Sequence, residues 1–320
     1  MLRIAVLGAG SHSSSNHGPA LQHCRDERPE AIELAAVCDL DADKGKQYAE
    51  RFGFHEVYTD LDEMAAAEDL DGIVAVTPLT LTAELAAQVP RIGIPFVIEK
   101  PPGHTVEAAL QLRDAVADSG VPHMVSFNRR FGPAFARARA WLAEQGLGHE
   151  PHLVISRMLR HDRREETFVF DTGIHAVDTV LAFMGQPVQA ESHSHPVSSR
   201  ETDFFDARIT FTGGGAATFL FAPACGRSQE SIEIIGDDYD IQVDVGACAI
   251  EIRERDETVL EWRAPATMPD YERAGALDET RAFIRCLETG AGWWPTMEDA
   301  LWSVRAAEAI QRGGEASLGE

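Results

Sequence analysis

Three ionisable residues stand in one short, otherwise apolar segment, "FDTGIHAVD" at residues 170–178. Asp171, His175 and Asp178 are spaced by four and three positions, which places side chains on one face of an α-helix. Histidine is the usual general acid or base near neutral pH. The segment therefore predicts either a proton-transfer site or a helix start with a hydrogen-bonded histidine. A metal held by these three groups is the less favoured alternative, because no further cluster at metal spacing accompanies them.

A lysine is the second candidate for chemistry. The chain has only three lysines, and Lys100 follows the apolar run "PFVIE" and precedes two prolines that restrict the backbone. In open parallel sheets the carboxyl ends of strands border the ligand crevice. Lysine offers a compact ammonium whose pKa can shift with its surroundings. Lys100 is therefore predicted to face a ligand, and a surface lysine at a strand end is the alternative.

The elements that must position these residues begin with an alternation of strand-like and helix-like segments over residues 2–126. Strand-length runs rich in Val and Ile alternate with segments of helical spacing: "LRIAVL", "IELAAVC", "GIVAVT", "PFVIE" and "PHMVSF". Such alternation implies parallel strands joined by right-handed crossovers. The first part of the chain is predicted to be a doubly wound Rossmann sheet.

A glycine-containing turn, "GAGSHSSSNHGPAL" at residues 8–21, directly follows the first strand-like run. Gly8 and Gly10 match the first two glycines of a dinucleotide-binding turn, which let the backbone approach a pyrophosphate. Ser13 stands where the third glycine is expected, and its hydroxyl could donate to phosphate. A glycine turn that binds no ligand is the alternative.

An acidic residue closes the second strand-like run. Asp39 lies where a carboxylate accepts hydrogen bonds from ribose hydroxyls, while Asp41 suits the cap of the next helix. A carboxylate at position 39 would repel a 2′-phosphate, and no arginine follows at once to bind one. These residues favour NAD over NADP as cofactor.

The composition narrows the classes of partner. The net charge of −24 argues against a nucleic-acid or membrane-surface partner, because both are polyanionic. Five widely spaced cysteines without a CxxC pair fit reduced thiols. No run reaches the length of a membrane span, and no basic region or cleavage site opens the chain. A cytoplasmic location is expected.

The chain resembles the glucose–fructose oxidoreductase / inositol dehydrogenase (Gfo/Idh/MocA) family of nicotinamide-dependent oxidoreductases. The resemblance spans nearly the whole chain. Its matching motifs are "GAG" after the first strand, "AVCD" closing the second, Thr77–Pro78, "EKP" at 99–101, "FNRRFGP" at 127–133, "DTGIHAVD" at 171–178 and "MEDALWSVRAAEAI" near the end.

The resemblance implies an α/β fold: an N-terminal Rossmann domain with a doubly wound parallel sheet, then an α/β domain with a large open, mostly antiparallel sheet. We expect an NAD-binding domain at 1–126, a substrate and oligomerisation domain at 127–290, and a C-terminal helix at 291–320 that packs back on the first domain. The resemblance also implies that the open sheet serves in oligomerisation, as a homodimer or homotetramer.

The resemblance further implies the site residues. Lys100, Asp171 and His175 are the expected catalytic set. His175 would be the acid/base at the reacting hydroxyl, and Lys100 would donate to the same oxygen. Asp171 would bind a second hydroxyl or orient the imidazole, and Asp178 would support His175. The expected cofactor contacts are Gly8, Gly10, Ser13, Asp39, Thr77, Pro78, Glu99 and Lys100, with no metal. The expected substrate contacts are Asn128, Arg129, Arg157, Phe170 and Asp178.

The expected reaction is hydride transfer between nicotinamide and a secondary alcohol of a sugar, sugar derivative or cyclitol. Two alternatives stay open: cleavage of a glycoside with recycled NAD, and a nicotinamide-sensing regulatory protein without turnover. Phe168 and Phe170 are expected to reshape the pocket relative to the family. The arginines of "RMLRHDRR" could bind an anionic group or simply pair with surface carboxylates.

Overall fold

The N-terminal strands form a six-stranded, wholly parallel sheet in the order β3-β2-β1-β4-β5-β6. The computed structural model describes residues 1–76, 88–146, 150–197 and 203–319. The strands of this sheet are β1 Leu2–Leu7, β2 Ile32–Cys38, β3 Glu56–Tyr58, β4 Gly72–Ala75, β5 Phe96–Glu99 and β6 His123–Ser126. The order reverses between β1 and β4, which is the switch point where such sheets bind ligands.

Helices connect and flank these strands, and local signals fix their ends. Asp41 accepts hydrogen bonds from the backbone N–H groups of Asp43 and Lys44 and so caps a helix, as expected, and Thr105 caps another. The helices are Ser11–Ser15, His17–Glu27, Ala42–Phe52, Leu61–Ala67, 88–92 and Val106–Ser119, followed late in the chain by Asp270–Arg273 and Ala276–Thr289. The last helix, Met297–Arg312, is divided between the two units described below.

A nine-stranded sheet occupies the second half of the chain in the order β14-β13-β12-β11-β7-β10-β9-β8-β15. Its neighbouring strands are antiparallel except for the parallel pair β7 and β10. The strands are β7 Leu153–Leu159, β8 Pro187–Pro196, β9 Asp203–Phe211, β10 Ala216–Ala222, β11 Gln229–Gly236, β12 Tyr239–Asp244, β13 Ala249–Glu254, β14 Glu257–Arg263 and β15 Gly314–Ser317. The predicted fold class is confirmed.

One face of this sheet is covered by helices and forms the core of the second half. Buried side chains alternate along the strands, as in Val154, Ser156 and Met158 of β7. The helices are Asn128–Phe131 (3₁₀), Pro133–Gln145, the π-helical turn Val169–Gly173 and Ile174–Met184. Among the described residues, none of the helices has both the length and the apolar character needed to cross a membrane.

The chain divides into two units whose boundaries differ from the expected domains. The first unit comprises Met1–Asn128 and Pro269–Ala300, and the second comprises Arg129–Met268 and Leu301–Glu320. The expected domain 127–290 therefore loses its last helix, Ala276–Thr289, to the first unit, where it packs on His17–Glu27. The expected C-terminal segment 291–320 is shared between the units, because β15 pairs with β8 in the second sheet.

Candidate functional site

The turn after β1 has the backbone conformation that a dinucleotide-binding turn requires. Gly8 has a φ of +100°, which side-chain-bearing residues rarely adopt, and a Cβ added at Gly10 would project into open space. Asp39, at the end of β2, accepts a 2.7 Å hydrogen bond at Oδ2 from the backbone N–H of Ala9. Its Oδ1 accepts another from Asp41. The structure thus joins Asp39 to the glycine turn.

The side chain of Ser13 does not take the expected role of a hydrogen-bond donor to phosphate. Its side chain is completely buried, and its hydroxyl donates a 2.8 Å hydrogen bond to the hydroxyl of Tyr48. The reason is local: residues 11–15 form a short extra helix that turns Ser13 toward the helix Ala42–Phe52. Ser13 therefore packs the loop against the core. The expected contacts Thr77 and Pro78 lie outside the described residues.

Glu99 lies at the end of β5 between two histidines. Its Oε1 is 2.6 Å from Nε2 of His17 and 3.1 Å from Nε2 of His12. Burial opposes the ionisation of Glu99, but the hydrogen bonds and charges of the two imidazoles outweigh it and hold the pKa of this carboxyl far below its usual range. A buried anion is therefore fixed at the carboxyl edge of the sheet.

Lys100 follows Glu99 at the carboxyl end of the parallel sheet, as the sequence predicts. It is half-buried, its backbone N–H donates a 3.2 Å hydrogen bond to Oε2 of Glu99, and the Lys100–Pro101 peptide bond is cis. The strand-end position places it at the edge where open α/β sheets bind ligands. Its predicted contact with substrate and cofactor stays a prediction.

His175 and Asp171 lie where a π-helical turn passes into an α-helix. His175 is in the first turn of the helix Ile174–Met184 and is 7% exposed, whereas Asp171 lies within the π-helical turn Val169–Gly173 and is half-buried. Thr167 donates a 2.6 Å hydrogen bond from its hydroxyl to Oδ2 of Asp171. The expected single α-helical face thus holds from His175 onward, while Asp171 sits on the wider turn before it.

Asp178 is held by two side chains from distant parts of the second unit. Arg130 donates to both of its carboxylate oxygens, from Nε and Nη2, at 2.7 Å each, and Ser303 donates to Oδ1 at 2.8 Å. Arg130 and Asp178 are both almost completely buried. This bidentate ion pair ties the helix of His175 to the rest of the unit. The role expected for Asp178 as a substrate contact stays a prediction.

Arg129, a predicted substrate contact, and Arg160 of "RMLRHDRR" both bind one buried acid. Arg129 donates to both oxygens of Glu230, and Arg160 donates to Oε2 of Glu230 at 2.5 Å. Burial favours the neutral form of Glu230, but the two guanidinium groups outweigh it and lower the pKa of this carboxyl. Arg129 is thus paired with a buried carboxylate, and the motif "FNRRFGP" does not predict this pairing.

Arg157 lies on the face of β7 opposite the buried Ser156 and Met158, and hence opposite the helix of His175, which packs on that buried side. Arg163 pairs with Glu165 and Arg164 with Asp162. These contacts favour the surface-pairing alternative for Arg163 and Arg164, whereas Arg160 pairs with the buried Glu230. Asn128 and Phe170 are both buried; their predicted substrate contacts stay predictions, as does that of Arg157.

Sequence reasoning missed several residues that organise the site. Arg130 and Ser303 hold Asp178, Thr167 holds Asp171, and His12 with His17 holds Glu99. The signal for the histidines is available in the sequence, because both follow Gly10 within seven residues in the segment "GAGSHSSSNHGPAL". Arg130 and Ser303 are 48 and 125 residues from Asp178 and give no local signal.

The described residues suit a dinucleotide. A positive-φ glycine, an open position at Gly10 and a carboxylate joined to the turn are what the phosphate and ribose of NAD need. In the second unit, a buried histidine near a hydrogen-bonded aspartate can carry a proton to or from a hydroxyl.

Comparison with known proteins agrees with this geometry. Residues 2–127 match the Gfo/Idh/MocA family model, described as "Oxidoreductase family, NAD-binding Rossmann fold". Inositol 2-dehydrogenase 4 of Saccharopolyspora erythraea is 26% identical over 320 residues, which cover 91% of each chain. D-apiose dehydrogenase of Paraburkholderia graminis is 25% identical over 327 residues, which cover 95% of this chain and 85% of that one.

Among solved structures, that of levoglucosan dehydrogenase in complex with NADH and levoglucosan superposes with a TM-score of 0.86. The match covers 100% of both chains at 19% identity and shows a shared fold. The predicted family resemblance and the predicted NAD-binding Rossmann fold are confirmed.

Proposed function

Because residues 2–127 match the Gfo/Idh/MocA oxidoreductase family model, we propose that the chain is an NAD-dependent dehydrogenase of a secondary alcohol in a sugar, sugar derivative or cyclitol. The observation that carries the proposal is the buried His175, set just after a π-helical turn that contains Asp171. Such turns interrupt α-helices frequently at functional sites. The relatives named as inositol and apiose dehydrogenases support a polyhydroxylated substrate.

The proposed roles of the side chains follow from their chemistry. His175 takes the proton of the substrate hydroxyl during oxidation and returns it during reduction. Lys100 donates a hydrogen bond to the same oxygen and stabilises its developing negative charge. Asp171 accepts from a second substrate hydroxyl or orients the imidazole, while the Arg130–Asp178 pair positions the helix that carries His175. The nicotinamide, when bound, supplies or accepts the hydride.

Asp39 is proposed to select NAD through the ribose hydroxyls. Replacing it in Asp39→Ala removes a charged hydrogen-bond acceptor worth about 1.5–3 kcal/mol, so we expect NAD to bind roughly 10- to 150-fold more weakly. NADP binding should not weaken, because the carboxylate no longer repels the 2′-phosphate. Calorimetric titration of both cofactors measures the two changes. Asp41→Ala, which removes a helix cap instead, is the matched control, and an equal loss of NAD affinity in both variants would contradict the proposal.

The reaction is tested by following NADH absorbance with a panel of sugars, sugar derivatives and cyclitols. Substrate-dependent accumulation of NADH supports the dehydrogenase. Cleavage of a glycoside without net NADH would favour the enzyme that recycles NAD. Tight NAD binding without turnover on any member of the panel would favour the regulatory protein and contradict our proposal.

We further propose that a second copy of the chain covers the open face of the nine-stranded sheet. Leu153 and Leu220 are exposed there, at 46% and 39%. Strand alternation places two arginines and two acids on the same face: Arg157, Arg208, Asp206 and Glu233. A face that carries both signs of charge can complement itself across a two-fold axis despite the acidity of the whole chain.

Leu220→Asp should therefore shift the protein toward monomer, because it buries an unpaired charge in the interface. Light scattering coupled to size-exclusion chromatography measures the mass. Leu40→Asp, at an exposed leucine of the first unit, should leave the mass unchanged. A wild-type protein that is already monomeric would rule out this interface.

A further inference from the structure

Three metal-ligating side chains converge in the first unit. His12 belongs to the short helix after the glycine turn, His17 begins the next helix, and Glu99 ends β5. One ligand atom from each of the three lies within 4.8 Å of the other two. Glu99 is 82 residues from His17 and 87 from His12 along the chain, so the fold brings it to the two neighbouring histidines.

We propose that His12, His17 and Glu99 form a binding site for a divalent transition-metal ion with zinc-like ligand preferences. Zinc binds histidine nitrogen and carboxylate oxygen at about 2.0–2.2 Å, so that tetrahedral ligand atoms lie about 3.3 Å apart. Oε1 of Glu99 lies 2.6 and 3.1 Å from the Nε2 atoms of His17 and His12, and both separations are shorter than this ligand-to-ligand distance. Small outward movements of the side chains would admit the ion. Three protein ligands leave a fourth position for water.

Burial and orientation of the ligands favour a bound cation. Glu99 and His17 are buried, and Oε1 of Glu99 lies within hydrogen-bonding distance of both imidazoles. Oε2 of Glu99 accepts the backbone N–H of Lys100, which leaves Oε1 aimed at the two imidazoles. Such a fixed outer hydrogen bond orients a metal ligand. The side chain of His12 is about half exposed and gives an ion a route from solvent.

A second histidine cluster in the chain provides a matched comparison. On the open face of the nine-stranded sheet, Asp206 of β9 accepts from His195 of β8 at 2.5 Å and lies 3.5 Å from His193. All three side chains are largely exposed. Exposed ligands bind a metal less tightly than a buried and oriented set, so this cluster tests whether histidine content alone accounts for binding.

The experiment measures metal binding directly on the full chain after treatment with a chelator. Zinc is titrated by calorimetry, and cobalt(II) is titrated by visible absorption, which reports tetrahedral coordination. His12→Ala removes a ligand at a half-exposed position. Since loss of an outer-shell partner alone weakens metal binding about 10- to 100-fold, we expect at least about 100-fold weaker zinc binding. His195→Ala should bind zinc as the wild type does.

A second variant supplies a positive signal. His12→Cys places a thiolate at the same position and should give a thiolate-to-cobalt charge-transfer band that the wild type lacks. Circular dichroism checks that both variants are folded. Zinc affinity unchanged in His12→Ala, its loss in His195→Ala, or the absence of the thiolate band in His12→Cys would each overturn the proposal. None of these readouts uses turnover or NAD, so they are independent of the proposed dehydrogenase activity.

Discussion

His175→Ala should lower kcat by about 10²- to 10⁴-fold on the polyol that the substrate panel identifies. This is the usual contribution of a positioned general acid or base, and an alanine can neither take nor return the proton of the substrate hydroxyl. NAD affinity should stay at the wild-type value, because the expected cofactor contacts all lie in the first unit. Steady-state kinetics and calorimetric titration of NAD measure the two quantities.

His161→Ala is the control for this prediction, since His161 is an exposed histidine of the same unit. It should retain wild-type turnover. Wild-type kcat in His175→Ala would remove this histidine from the mechanism. A loss of NAD affinity that matches the loss of turnover would indicate that the substitution disturbs the fold and not a proton transfer.

Arg130→Met should lower the free energy of unfolding by about 3–5 kcal/mol. The substitution leaves the carboxylate of Asp178 buried without its bidentate partner, and breaking a buried ion pair from one side carries a cost of this size. Ser303 still donates to Oδ1, but a neutral hydroxyl does not replace a charged fork. Urea unfolding of the second unit, followed by tryptophan fluorescence, measures the change.

Arg164→Met is the matched control, because Arg164 pairs with Asp162 at an exposed position and should lose at most about 1 kcal/mol. The double variant Arg130→Met with Asp178→Leu should recover part of the lost stability, since it no longer buries an unpaired charge. A single Arg130→Met variant as stable as Arg164→Met would contradict the structural role assigned to the pair.

Elements with strong local signals could be predicted from the sequence. The helix Ala42–Phe52 begins where the sequence predicts, because Asp41 caps its start, and Gly53 ends it with a positive φ. The large second sheet is expected from the family resemblance. β3 and β15 are not predicted from the sequence. β3 has only three residues. β15 reads "GEAS", which has little strand propensity, and its partner β8 is far away along the chain.

The residues of the candidate site also differ in whether local sequence signals predict them. Lys100, Asp39 and His175 could be placed because strand ends and helix starts are local features. The π-helical turn under Asp171 could not, since a single extra residue per turn depends on packing and leaves the apolar pattern unchanged. Nor could the partners of Asp178 be predicted, because a bidentate pair between residues 130 and 178 is a product of tertiary structure.

The two units are interleaved along the chain, and this bears on how the protein folds during synthesis. The first unit needs the helix Ala276–Thr289, whose Arg281 pairs with Glu27, and the second needs β15 at the end of the chain. Neither can be completed while the ribosome is still adding residues before Ala300. A growing chain thus has all six strands of the parallel sheet once Ser126 is added, but it lacks the helix Ala276–Thr289 until late in its synthesis. Apolar surface that this helix covers is exposed for most of that time, and such surface promotes aggregation.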